Sequence, residues 1–85
     1  MASKRDLKKR VNYMVYDVVE ECFSLQLYDE SKKEKTDLFI EEAADFLEEI
    51  LHQINVTSTK KEFGPINEKI ELKSDEWIDK LNDLQ

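Results

Sequence analysis

Apolar residues recur along the first third of the chain at Leu7, Val11, Met14, Val15, Val18, Cys22 and Leu25, with steps of 4, 3, 1, 3, 4 and 3. At about 100° per residue these positions fall in one band, so the spacing predicts a helix. Ser3 stands where an N-cap is needed, and Asp6, three residues on, suits the positive end of the helix dipole. A second apolar band, Tyr16, Val19, Phe23 and Leu27, runs beside the first, with Lys8, Asn12 and Gln26 in or next to it. Lys9, Arg10, Asp17, Glu20, Glu21 and Ser24 keep the remaining face polar. The apolar arc covers more than half the circumference, whereas a helix lying on a core needs an arc of only about 100°. Helix one, predicted over 4–28, is therefore expected to be covered on two sides.

Residues 29–36 are polar throughout and read as a connection. Two starts compete for helix two: a capping box of Ser31 with Glu34, and Thr36 with Asp37. Ile40, Ala43, Ala44, Leu47, Ile50, Leu51 and Ile54 form its stripe, flanked by Phe39 and Phe46, so the second helix is predicted over 36–57. Gly64-Pro65 reads as a stop: glycine tolerates a left-handed cap, and proline cannot continue the ladder but suits the first position of a new helix. Ile66, Ile70, Trp77, Leu81 and Leu84 then share a stripe, and helix three is predicted over 66–83. Lys73 and Ser74 fall in its gap, but the phase is kept across them, which favours one continuous helix over a break capped by Ser74.

The pattern gives an all-α fold, a three-helix up-down-up bundle in one domain spanning 1–85. Composition agrees: one Gly and one Pro in 85 residues leave little material for turns. So short a chain buries a modest core, and self-association is expected.

Charge sharpens the picture. The net charge is −7, but residues 1–10 carry +4 and residues 11–85 carry −11. Such an acidic body repels nucleic-acid phosphates and anionic membranes, and only the N-terminal end can approach either. No apolar run approaches the roughly 20 residues of a membrane span, and no apolar segment follows the basic start as in a secretion signal. The expectation is a cytoplasmic protein without a membrane partner. Cys22 is the only cysteine, so no intramolecular disulfide forms.

Candidate chemistry is sparse. Glu49 and His52 make an E-x-x-H step, but di-iron carboxylate bundles need two such steps, and this chain has one His. The pair also points away from the core stripe, so no metal site is assigned. Glu41, Asp45, Glu48 and His52 line an exposed face able to receive a basic partner. Lys4, Arg5, Lys8, Lys9 and Arg10 form a candidate basic patch for nucleic acid or an acidic protein surface, without interleaved stacking aromatics. Cys22 lies in the core stripe, where Glu20 and Glu21 would raise rather than lower its pKa. Trp77 is at core spacing. One glycine cannot build a phosphate-cradling loop, so no cofactor is predicted. Tyr16, Val19, Phe23 and Leu27 remain as the candidate interface, unless helix three covers them.

The opening Ser3-Lys4-Arg5-Asp6-Leu7-Lys8-Lys9, followed by Asn12-Tyr13, resembles the start of small uncharacterised helical proteins of Bacteroides-type bacteria, over about the first thirty residues. That group carries no assigned activity, so the resemblance implies a bacterial cytosolic protein and transfers no site residue. The leading expectation is a non-enzymatic interaction module, a homodimer or a subunit of a complex. The alternative is a nucleic-acid- or ribosome-associated factor using the basic segment.

Overall fold

The computed structural model of the chain describes residues 3–84, the side chain of Lys60 excepted. Three helices make up the fold: α1 (Lys4–Tyr28), α2 (Lys33–Val56) and α3 (Phe63–Leu84). No strand occurs among the described residues. The order is up-down-up. Arg10 near the start of α1 donates to Asn67 at 2.6 Å and to Glu71 at 3.1 Å near the start of α3, so these two helices run parallel. Lys69 reaches Glu49 and Lys80 reaches Glu42, which sets α3 antiparallel to α2. The bundle is long and narrow, 45 × 18 × 14 Å.

Helix α1 has the bounds its spacing predicts. The Ser3 hydroxyl accepts from the Asp6 amide at 3.2 Å and caps the first turn. Leu7, Val11, Val15, Val18 and Cys22 are buried, one side chain per turn. The helix ends where Asp29 turns extended, its amide still bonded to the Leu25 carbonyl.

The first connection is shorter than expected. Asp29 accepts from the Ser31 amide at 3.0 Å and from its hydroxyl at 2.6 Å, which winds Glu30–Lys32 into a 3-10 turn leading straight into α2. Thr36 is not a cap. It lies within the first turn, fully buried, donating back to the Lys32 and Lys33 carbonyls and accepting from Gln26 of α1 at 2.8 Å. A residue of capping type was here recruited to hold the α1–α2 corner.

The stripe of α2 is rotated from its predicted phase. Thr36, Phe39, Ala43, Phe46, Ile50 and Ile54 are buried, Ile40, Leu47 and Leu51 are half-buried, and Ala44 is exposed. The reason is that α2 faces two neighbours. Its buried centre lies between α1 and α3, and the two Phe rings take it, each edge-on to Trp77 with centroids 5.8 and 5.3 Å away.

The Gly64-Pro65 stop is also corrected. Helix α2 already ends at Val56, and Thr57 turns extended with its hydroxyl donating to the Gln53 carbonyl at 2.6 Å. After a 3-10 turn, Lys60–Glu62, α3 starts at Phe63, so Gly64 and Pro65 sit inside its first turn. There the missing proline N–H costs nothing, because the first amides of a helix have no intrahelical partner. No glycine has positive φ. Helix α3 runs unbroken through Ser74. Half-buried Lys73 fits the core edge by pairing with Glu76 at 3.3 Å and standing 5.7 Å from the Phe46 ring centroid.

Candidate interaction faces

Two flanks of α1 matter, and the helical period assigns residues to each. One flank carries Arg10, Met14, Asp17 and Glu21 and turns to α3. The other carries the second apolar band, set roughly 120° round the helix from the buried stripe. Helix α3 packs on the first flank and leaves the second uncovered. Tyr16 is 69%, Phe23 53% and Leu27 88% exposed, while Val19 packs against the core edge. Covering of this band by helix three is thus ruled out within one chain. Helices α2 and α3 also pack on each other, so they occupy adjacent sectors of α1.

Beside the band, α2 contributes exposed Ala44 and half-buried Ile40, Leu47 and Leu51. At the corner, Phe23, Leu27 and Lys33 line a shallow groove of about 470 Å³. Gln26 lies in it and is fixed by donating to Thr36 and to Asp37 at 2.7 Å.

Two of the five basic residues are engaged by the other helices. Arg10 is committed to α3, as above. Lys4 donates to the Asn55 carbonyl at 3.5 Å, and Lys9 stands 5.8 Å from the Tyr13 ring centroid. Arg5, half-buried Lys8 and Lys9 lie on the same flank as the apolar band, one to three turns before it.

Between α1 and α3 runs a second groove of about 510 Å³. Its floor is Met14, Val18, Ile70, Trp77 and Leu81, and its rim is Asp17, Glu21, Glu71 and Asp75 with Arg10 at one end and Ser74 and exposed Ile78 on the α3 side. Sequence reading missed this rim, because it joins residues some 60 positions apart, as in the Arg10–Glu71 pair. The Trp77 indole N–H is buried and meets no protein acceptor.

The remaining candidates are placed individually. Cys22 is fully buried; burial first and the Glu21 carboxylate second push its thiol above the ordinary 9.0, against a smaller opposing effect of Lys80. Glu41, Asp45, Glu48 and His52 are exposed along α2, while Glu49 accepts from Gln53 and pairs with Lys69 at 3.5 Å. Among the described residues, no three His, Cys, Asp or Glu side chains converge as metal ligands, and no helix is long and apolar enough to cross a membrane. No family model matches the chain, and neither a curated protein nor a solved structure matches it.

Proposed function

We propose that this protein is a non-enzymatic interaction module of the cytoplasm that pairs with a second copy of itself through the outer flank of α1. The observation that carries this reading is the exposure of Tyr16, Phe23 and Leu27 on one continuous flank. An exposed apolar patch of this kind favours association by removing that surface from water.

Charge is compatible with a second copy and orients it. In an antiparallel two-fold pairing centred on Val19 and Phe23, Arg5, Lys8 and Lys9 of one copy approach the corner of the other. That corner is of mixed charge: Asp29, Glu30, Glu34 and Asp37 stand among Lys32, Lys33 and Lys35, for a net charge of −1. A two-fold axis makes this contact twice, and each copy meets the same patch of its mate. A parallel pairing would instead set the basic ends against each other.

Light scattering after size exclusion tests the reading. A dimer at tens of micromolar is expected, converted to a monomer of unchanged helicity by Phe23→Glu. A strict monomer at that concentration rejects it. So does a Phe23→Glu variant that unfolds instead of dissociating, because the ring would then serve the core.

A further inference from the structure

We propose that the α1–α3 groove docks a cationic peptide segment of another protein, one that presents Lys or Arg beside apolar side chains. The proposal does not rest on self-association, since the groove lies on the opposite flank of α1. The groove's floor and charged rim carry it, and a buried ring reports on it.

Six apolar side chains, Ile78 among them, line a concavity that is partly open to solvent. Three rim carboxylates, Asp17 and Glu21 on α1 and Asp75 on α3, have no ion-pair partner among the described residues. The fourth, Glu71, is held by Arg10, which closes the end nearest the helix starts. Asp17 and Glu21 are one helical turn apart, about 6 Å along the axis. Their row faces Asp75 across the floor, so a cation above either rim meets acid while its apolar neighbour descends between them. An anionic or purely apolar segment would leave the carboxylates desolvated without compensation, which is the costly case.

Trp77 lines this groove, is 1% exposed, and carries the buried indole N–H with no protein acceptor. The N–H itself lies below the surface, so the ring marks the floor of the groove and reports on its occupancy rather than choosing the occupant.

Trp77 is the only tryptophan in the chain, so its emission reports on the groove. The probe is a synthetic peptide of four Leu-Lys-Lys-Leu repeats, titrated into the full chain, with a Leu-Glu-Glu-Leu peptide as counter-probe. Binding of the Lys peptide with a shift in Trp77 emission is expected, and no binding of the Glu peptide. The triple variant D17N/E21Q/D75N should weaken binding about tenfold, in keeping with three exposed charge contacts. The equally neutralising variant E41Q/D45N/E48Q, on the back of α2, should change it less than twofold. Phe23→Glu should leave it unaltered, which separates this groove from the self-association flank. Equal weakening by the two triple variants would mean general attraction to an acidic protein and overturn the proposal. Unchanged Trp77 emission on saturation, or equal binding of the Glu peptide, would overturn it as well.

Discussion

Replacing Trp77 by Phe tests the packing of the core and the state of its indole together. Phe39 and Phe46 both meet the Trp77 ring edge-on, and Phe retains an aromatic ring there. What is lost is two buried carbons, about 1.6 kcal/mol at about 0.8 kcal/mol each. A small residual cavity adds up to about 1 kcal/mol. What is removed at the same time is a buried N–H without a protein acceptor, worth about 1–3 kcal/mol of relief. The two sides nearly cancel, so W77F should lie within about 1 kcal/mol of the parent chain. W77A keeps the relief but loses the whole ring, about 3–5 kcal/mol, and both edge-on contacts, about 0.5–1.5 kcal/mol each. For a chain of this length the total stability is about 4–13 kcal/mol, so W77A should be severely destabilised. Urea unfolding followed by far-ultraviolet circular dichroism measures both, since both variants lose the fluorophore. A W77F cost above about 2.5 kcal/mol would show that the indole N–H is satisfied in solution. A W77A cost no larger than that of W77F would refute the central placing of this ring.

Three further outcomes are expected. Thr36→Val keeps the shape of a buried residue but deletes its bonds to Lys32, Lys33 and Gln26; a loss of about 1 kcal/mol is expected, and less in a Gln26→Ala background, by urea midpoint. Gly64→Ala should raise stability by about 0.4–1 kcal/mol, because the position is helical with φ not positive and an added Cβ meets nothing within 4 Å; a lower melting temperature would contradict this. The raised thiol of Cys22 makes a folding contribution that is complete below its ordinary value of 9.0 and declines as pH climbs through the higher folded value. Thermal unfolding should therefore lose stability more steeply above pH 9 in the parent chain than in Cys22→Ala, and parallel profiles would refute the buried placing.

Helix α1 was legible down to its cap because its burial follows a strict one-turn rhythm with no Gly or Pro to interrupt it. Trp77 and the continuity of α3 were legible for the same reason. The phase of α2 was not, because periodicity locates an apolar face but does not say how two neighbours divide it. The large rings of Phe39 and Phe46 take the centre, where both meet Trp77 edge-on. Thr36 misled because its hydroxyl serves a cap and a buried corner with the same chemistry. Gly64-Pro65 misled because proline tolerates the start of a helix as well as the space after one. Phe63, buried at the first position of α3, went unassigned because it lies just before that dipeptide. For the interaction faces, the apolar band was legible on α1 alone. Which flank stays bare depends on the side on which α3 returns, and that is decided by packing between residues far apart in the chain.

The charge distribution also bears on which surface meets which. The outer flank of α1 begins with Arg5, Lys8 and Lys9 and leads through the apolar band to a corner of mixed charge, where Asp29, Glu30, Glu34 and Asp37 stand among Lys32, Lys33 and Lys35. The α1–α3 groove has acid on both rims and one arginine already paired with Glu71, so two grooves brought together repel. Like charges placed face to face cost more than matched ones gain. Under the proposed pairing the apolar flank meets a copy of the same chain, whereas two grooves reject each other and leave each open to a basic segment. On this reading the two bindings are independent, because α1 presents them on opposite sides and neither requires the helix to move. Added salt then separates them. Self-association should survive it better, since Tyr16, Phe23 and Leu27 supply an apolar term that screening leaves intact, whereas peptide capture leans more on exposed carboxylates.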